Sequence, residues 1–141
     1  MVEARRLLCG YSCTAAQNMR VLIVEDEVVI ASYLEVLVLS LGYEVCAIAA
    51  NAPEAIESAA THKPDVALMD IRLAHGGSGI DAAREIYSRE GLRCIFVSAN
   101  LDEATCQTLS RYEPIDFVGK PVLPVVLRRA LQKAEQLVCS K

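Results

Sequence analysis

Five short apolar runs, each closed off by polar residues, alternate along this chain with stretches whose apolar residues recur at helical spacing. The runs are Arg20 to Val24, Glu44 to Ala50, Asp65 to Met69, Arg93 to Val97 and Ile115 to Val118. Short continuous apolar runs suit strands buried on both faces of a parallel sheet. The intervening stretches read as helices over Glu27 to Leu41, Pro53 to His62, Ile80 to about Arg89, Asn100 to about Tyr112 and Pro124 to Val138. Gly42 closes the first of these at the C′ position, and Pro53 stands near the start of the second. Asn100 followed by Glu103 resembles a capping box. In the last, Leu127, Ala130, Leu131, Ala134 and Val138 share one face. Strict strand–helix alternation predicts an α/β domain, a parallel sheet with helices on both faces.

The remaining composition excludes several classes. The chain has 141 residues, 53% of them hydrophobic, enough for one domain with a real core. A net charge of −4 offers no surface for a polyanion, so direct nucleic-acid binding is not expected. No apolar run reaches the roughly 20 residues needed to span a bilayer, which predicts no membrane insertion and a cytoplasmic protein. Residues 1–18 lack a clear period and read as an N-terminal extension, with Met19 as an alternative start. The domain is expected over 19–141, with no output domain after the fifth helix. The six cysteines form no C-x-x-C pair. Cys46 and Cys94 lie inside apolar runs and read as small core hydrophobes.

In sheets of this kind, ligands bind outside the carboxyl ends of the strands. The residues expected there are Glu25 and Asp26 after the first strand, Asp70 after the third, Ser98 after the fourth and Lys120 after the fifth. Three clustered carboxylates repel one another, and a hard divalent cation such as Mg²⁺ relieves that repulsion. Asp70 can then act as a nucleophile toward phosphorus. Lys120 supplies a second positive charge to the transferred group, and the Ser98 hydroxyl can donate to one of its oxygens. Read alone, Asp26 and Glu27 could be ordinary acids at a helix N-terminus, Ser98 a helix cap and Phe117 plain core. Gly76-Gly77-Ser78-Gly79 reads as a turn, because no Gly-Lys-Ser/Thr follows.

The segments Val21-Leu22-Ile23-Val24-Glu25-Asp26-Glu27, Leu68-Met69-Asp70-Ile71-Arg72-Leu73, Val97-Ser98-Ala99 and Phe117-Val118-Gly119-Lys120-Pro121 resemble the receiver domain of two-component response regulators. The resemblance covers about residues 19 to 138. It implies a flavodoxin-like (βα)5 fold with strand order 2-1-3-4-5. It implies Asp70 as phosphoacceptor, and Asp26, Glu25, Asp70 and the backbone carbonyl of Arg72 around Mg²⁺. It implies Ser98 and Phe117 as the switch pair, Lys120 as the phosphate-pairing lysine and a cis Lys120–Pro121 bond. The expected partners are a histidine kinase or histidine phosphotransfer protein as donor and a downstream protein target. No enzymatic activity beyond self-phosphorylation and self-dephosphorylation is expected. Two departures stand out: Ala74 replaces the family's usual Pro, and the loop to Gly79 is one residue longer and lacks the acid before that glycine.

The first helix carries a further expectation. Ile30, Leu34, Leu37 and Leu41 are predicted to face the sheet, leaving Val28, Val29, Val36 and Leu39 outward. Clustered apolar groups on an outer face suggest a contact surface. The candidates are a kinase or phosphotransfer helix, a second copy forming a homodimer, or the extension folding back. Two other readings of the whole chain are a binding module that signals without phosphorylation and, more remotely, a flavin-binding electron carrier. The complete set of acids, hydroxyl and lysine argues against the module. The absence of a phosphate-cradling loop after the first strand argues against the carrier.

Overall fold

The computed structural model describes residues 19–73 and 78–139. The readings of 1–18 as an extension and of 74–77 as part of a loop fall outside the described residues. The elements are β1 (Arg20–Val24), α1 (Val28–Ser40), β2 (Glu44–Ala49), α2 (Ala52–His62), β3 (Val66–Asp70), α3 (Gly79–Glu90), β4 (Cys94–Ser98), α4 (Glu103–Leu109), β5 (Asp116–Gly119) and α5 (Pro124–Cys139). All strand pairings are parallel, in the order β2-β1-β3-β4-β5. This is the predicted flavodoxin-like (βα)5 arrangement.

The period-two geometry of each strand sends alternate side chains into two separate cores. Leu22, Val24, Ala67, Met69 and Phe96 face α2, α3 and α4, where Ala55, Ala59, Ala82, Ala83, Ile86 and Leu109 meet them. Val21, Ile23, Leu68, Ile95 and Val118 face α1 and α5, against Leu34, Val38, Leu127, Ala130 and Leu131. β1, β3 and β4 are buried almost throughout, which is why their sequences read as unbroken apolar runs. β2 lies at the edge and is only partly buried. Cys94 is a core residue, and half-buried Cys46 packs against the same core.

Local caps set where the helices begin. Asn51 accepts from the Glu54 N–H at 2.9 Å, while Glu54 Oε1 accepts from the Ala50 N–H at 2.9 Å, so α2 starts with a reciprocal pair of bonds. Ser78 caps α3 through the Asp81 N–H at 3.1 Å. Gly42, at φ +95°, terminates α1 as expected.

Two expectations need correction. Asn100 does not cap α4: Asp102 does, its Oδ1 accepting from the Thr105 N–H at 2.7 Å. The Asn100 N–H is already donated to Ser98 Oγ at 3.1 Å, which holds Asn100 in the turn ahead of the helix. Ser98 therefore caps no helix either. In addition, α4 ends at Leu109 and tightens into a 3₁₀ turn over Ser110–Tyr112. Asp102→Ala should cost about 1 kcal/mol in urea unfolding and Asn100→Ala only a few tenths. The reverse order would restore Asn100 as the cap.

In α1 and its C-cap, Ile30, Leu34, Leu37 and Leu41 do face the core as expected, and Ala31 and Val38 join them. The most buried of these are Ala31, Leu34 and Val38. Ile30, Leu37 and Leu41 are half-buried and flank that line. Val28, Val29, Val36 and Leu39 are exposed, as predicted.

Candidate functional site

The carboxyl ends of β1, β3, β4 and β5 open on one edge of the sheet. Asp70 is the last residue of β3, Ser98 the last of β4, and Lys120 follows β5 directly. Glu25 and Asp26 form the turn between β1 and α1. That turn is bent so that the Glu27 N–H donates to Glu25 Oε2 at 3.2 Å, while the Glu25 N–H donates to the Ala49 carbonyl at 2.9 Å. Glu25 is thereby drawn inward and is 2% exposed.

Carboxylate oxygens of Glu25, Asp26 and Asp70 lie within 4.8 Å of one another. Lys120 Nζ sits between two of them, 3.1 Å from Glu25 Oε1 and 3.3 Å from Asp70 Oδ2. The other Asp70 oxygen, Oδ1, accepts from the Arg72 N–H at 3.1 Å. Lys120 is itself fixed by its backbone N–H, which donates to the Ser98 carbonyl at 2.9 Å, and the peptide bond that follows it is cis. The Ser98 hydroxyl is buried and engaged with Asn100 in its own turn.

The electrostatics follow from the burial. Burial pushes the Glu25 carboxyl up to about 7; the neighbouring charge of Asp70 adds to this, while Lys120 and the Glu27 N–H pull it back. Burial works against the charge on Lys120, yet Glu25 and Asp70 outweigh it and hold the amine above its ordinary value. One ammonium thus stands against three clustered carboxylates. Glu25 Oε1 is buried and, despite its ion pair with Lys120, has no aligned hydrogen-bond donor. A buried anionic oxygen left this way is unfavourable unless a further positive charge reaches it.

Beside these groups lies a cleft of about 440 Å³, lined by Asp26, Ile30, Asp70, Arg72, Ser98 and Lys120 among others. The structure therefore gathers Asp26, Asp70, Arg72, Ser98 and Lys120 around one cleft, with Glu25 joined to it through Lys120. Phe117 does not line the cleft. It is half-buried on β5, stacked on Phe96 with ring centroids 5.8 Å apart and planes at 23°.

Sequence reasoning missed Gly79, which starts α3 against the backbone of Asp70. It also missed Tyr33, whose hydroxyl donates to the Val122 carbonyl at 2.8 Å and ties α1 to the loop after Lys120. Tyr33 gave little signal, since its hydroxyl is one of three on α1, with those of Ser32 and Ser40. Gly79 gave none, since it closes a run already rich in glycine.

The fold and site define a doubly wound α/β domain whose carboxyl-edge crevice, where ligands bind in such sheets, carries an acid cluster, a hydroxyl and a lysine. Comparison narrows this further. Residues 21–132 match the response regulator receiver domain, and the chain belongs to that family. It is 34% identical over 126 residues to the phyllosphere-induced regulator PhyR of Methylorubrum extorquens, covering 89% of this chain and 46% of that protein. It is also 34% identical over 118 residues to the chemotaxis protein CheY of Thermotoga maritima, covering 83% of this chain and 98% of that one. Among solved structures it resembles the receiver domain of the sensor histidine kinase PA1611 from Pseudomonas aeruginosa PAO1, which holds a magnesium ion in its active site cleft. That match has a TM-score of 0.74 and 30% identity and covers 84% of this chain and 98% of the other. The chain thus spans about half the length of PhyR and nearly all of CheY. Among the described residues no helix is long and apolar enough to cross a membrane.

Proposed function

We propose that this chain is a response regulator that takes a phosphoryl group onto Asp70. The observation that carries the reading is the buried Asp70 carboxylate, held by the Lys120 ammonium and the Arg72 N–H at the mouth of an acidic cleft. In the transfer, an Asp70 oxygen attacks phosphorus, the new P–O bond forms, and the bond to the donor breaks with its electron pair leaving on the donor. A phosphohistidine on a histidine kinase or phosphotransfer protein is a donor of the required reactivity.

The residues fit a Mg²⁺ ion. Glu25, Asp26 and Asp70 offer hard oxygen ligands close together, and the single Lys120 ammonium balances only part of their charge. The Arg72 carbonyl would complete the set. When bound, Mg²⁺ would supply charge neutralisation for the incoming phosphoryl oxygens. Lys120 pairs with the same group once it is on Asp70. Ser98 leaves its turn with Asn100 to donate to a phosphoryl oxygen, and Phe117 repacks against Phe96 as the turn moves. Only contacts that differ between the free and phosphorylated states can drive this shift. The reader of the changed surface is a protein target.

The test is incubation of the full chain with acetyl phosphate, with and without Mg²⁺, followed by intact mass. One added phosphoryl group that requires Mg²⁺ is the expected result. No gain under either condition would favour the phosphorylation-independent binding module.

Lys120→Ala probes the electrostatics independently. Glu25 and Asp70 are both buried, so removing their shared counter-charge should cost about 3 kcal/mol in urea unfolding. Millimolar Mg²⁺ should recover part of that loss, and more than it adds to the native chain. Equal stabilisation of both proteins by Mg²⁺ would detach the metal from this cluster.

A further inference from the structure

Among the described residues the large exposed hydrophobic side chains are not scattered. Five of the eight belong to α1: Val28 (78% exposed), Val29 (81%), Tyr33, Val36 (64%) and Leu39 (52%). Two more, Leu123 and Val125, lie just beyond Val122, to which the Tyr33 hydroxyl is bonded, so they continue the same surface. Within it, Val29, Ser32, Val36 and Leu39 are exposed at 3-4-3 spacing, which is the seam spacing of two paired helices.

We infer that this face is the interface of a two-fold dimer, in which α1 of one copy packs against α1 of a second. Three features favour a second copy over another partner. The first is charge. A two-fold interface sets each surface against itself, so a charged face would meet its own sign. In the thirteen residues of α1, Glu35 alone is charged, and it is half-buried at the flank. The second is area. From their fractional exposures, the exposed surface of these α1 residues with Leu123 and Val125 comes to on the order of 700 Å² per copy, so a pair covering all of it would remove at most about 1,400 Å² from water, within the range of specific interfaces. That patch also exceeds the roughly 300–600 Å² that a typical monomer exposes. The third is character. Partners that dock and leave meet on more polar surfaces, while homodimer interfaces are the more apolar kind.

The position of the face adds a consequence. Val28 and Val29 directly follow Asp26 and Glu27, which line the cleft, so a second copy on α1 overhangs the cleft mouth. Self-association and loading by a protein phosphodonor then compete for this edge. That consequence rests on the phosphoacceptor reading of Asp70; the dimer itself does not.

Sedimentation equilibrium of the full chain across the micromolar range tests the inference. Native protein, Val36→Glu with Leu39→Glu, Val36→Lys with Leu39→Lys, and an equimolar mixture of the two variants are compared. The native chain should associate as a dimer. Each charged variant should shift to monomer with association weakened at least about tenfold, equivalent to about 1.4 kcal/mol. The mixture should recover dimer mass, because opposite charges then face each other across the axis. A native chain that stays monomeric, charged variants that still pair, or a mixture that stays monomeric would each overturn the α1 dimer. Matching circular-dichroism melts show that the variants fold, as expected for exposed positions. Mg²⁺-dependent uptake from acetyl phosphate is scored separately. Its absence from the native chain would sink the phosphoacceptor reading and leave the dimer result standing.

Discussion

Asp70→Asn should take up no phosphoryl group from acetyl phosphate at any Mg²⁺ concentration, under conditions that label the native chain. The substitution keeps the size of the side chain, and its amide oxygen can still accept from the Arg72 N–H. What it removes is the anionic oxygen 3.3 Å from Lys120, the atom proposed to attack phosphorus. An amide is a far weaker nucleophile, and its NH₂ group would face an ammonium that it cannot pair. The fold should survive, since one of three clustered like charges is lost and a single lysine remains to balance the other two. The result is therefore loss of uptake with a normal unfolding curve. Borohydride reduction of the labelled native protein would convert an acyl phosphate to homoserine and place it by peptide mass. Homoserine at Asp26, or continued labelling of the Asn variant, would move the acceptor away from Asp70. Asp26→Asn offers the contrast: Asp70 remains the labelled residue, and only the rate falls.

The site was legible where the rule about strand ends applies. Glu25, Asp70, Ser98 and Lys120 are each the first polar residue after an apolar run, with Asp26 next to Glu25, and parallel pairing brings those ends to one edge. Two apolar faces per strand likewise made β1, β3 and β4 easy to read. Competition between neighbouring polar groups was less legible. Asn100, Asp102 and Ser98 all can cap or turn, and spacing alone does not reveal that the Ser98 hydroxyl claims the Asn100 N–H. The depth of burial along α1 was hard to read for a related reason. A helix apolar on nearly all sides has no polar face to fix its roll, so Val38 at the centre of the contact could not be told from Leu37 beside it. The tie from Tyr33 to Val122 spans 89 residues and leaves no local trace.

Gly79→Ala should cost as much stability as Lys120→Ala, but for a steric reason. Gly79 opens α3, and its N–H donates to the Ile71 carbonyl at 2.9 Å, holding the helix start against the end of β3. A Cβ added there would fall 1.9 Å from the Asp70 carbonyl oxygen and 2.9 Å from both the Asp70 carbonyl carbon and Ile71 Cα. All three are backbone atoms, so no side chain can swing aside; either α3 or the end of β3 must move. In an open helix the change would be favourable by up to about 1 kcal/mol. Overpacking against backbone at this distance should outweigh that and leave a net loss of about 3 kcal/mol. The displacement also reaches the chemistry, because Asp70 is the residue being pushed. Moving its carboxylate relative to Lys120 by about 1 Å is enough to slow phosphoryl uptake on the order of a hundredfold. Gly91→Ala separates steric contact from mere loss of a glycine. Gly91 sits at φ +68° with open space where its Cβ would go. Its replacement should cost only about 1 kcal/mol, through backbone strain, and leave uptake unchanged. If urea unfolding gave the two variants the same modest loss and both took up phosphate normally, the Gly79 approach would be one that α3 accommodates by sliding. A large loss at Gly79 with slowed uptake would make the close packing of α3 on β3 the support that fixes the Asp70 carboxylate in place.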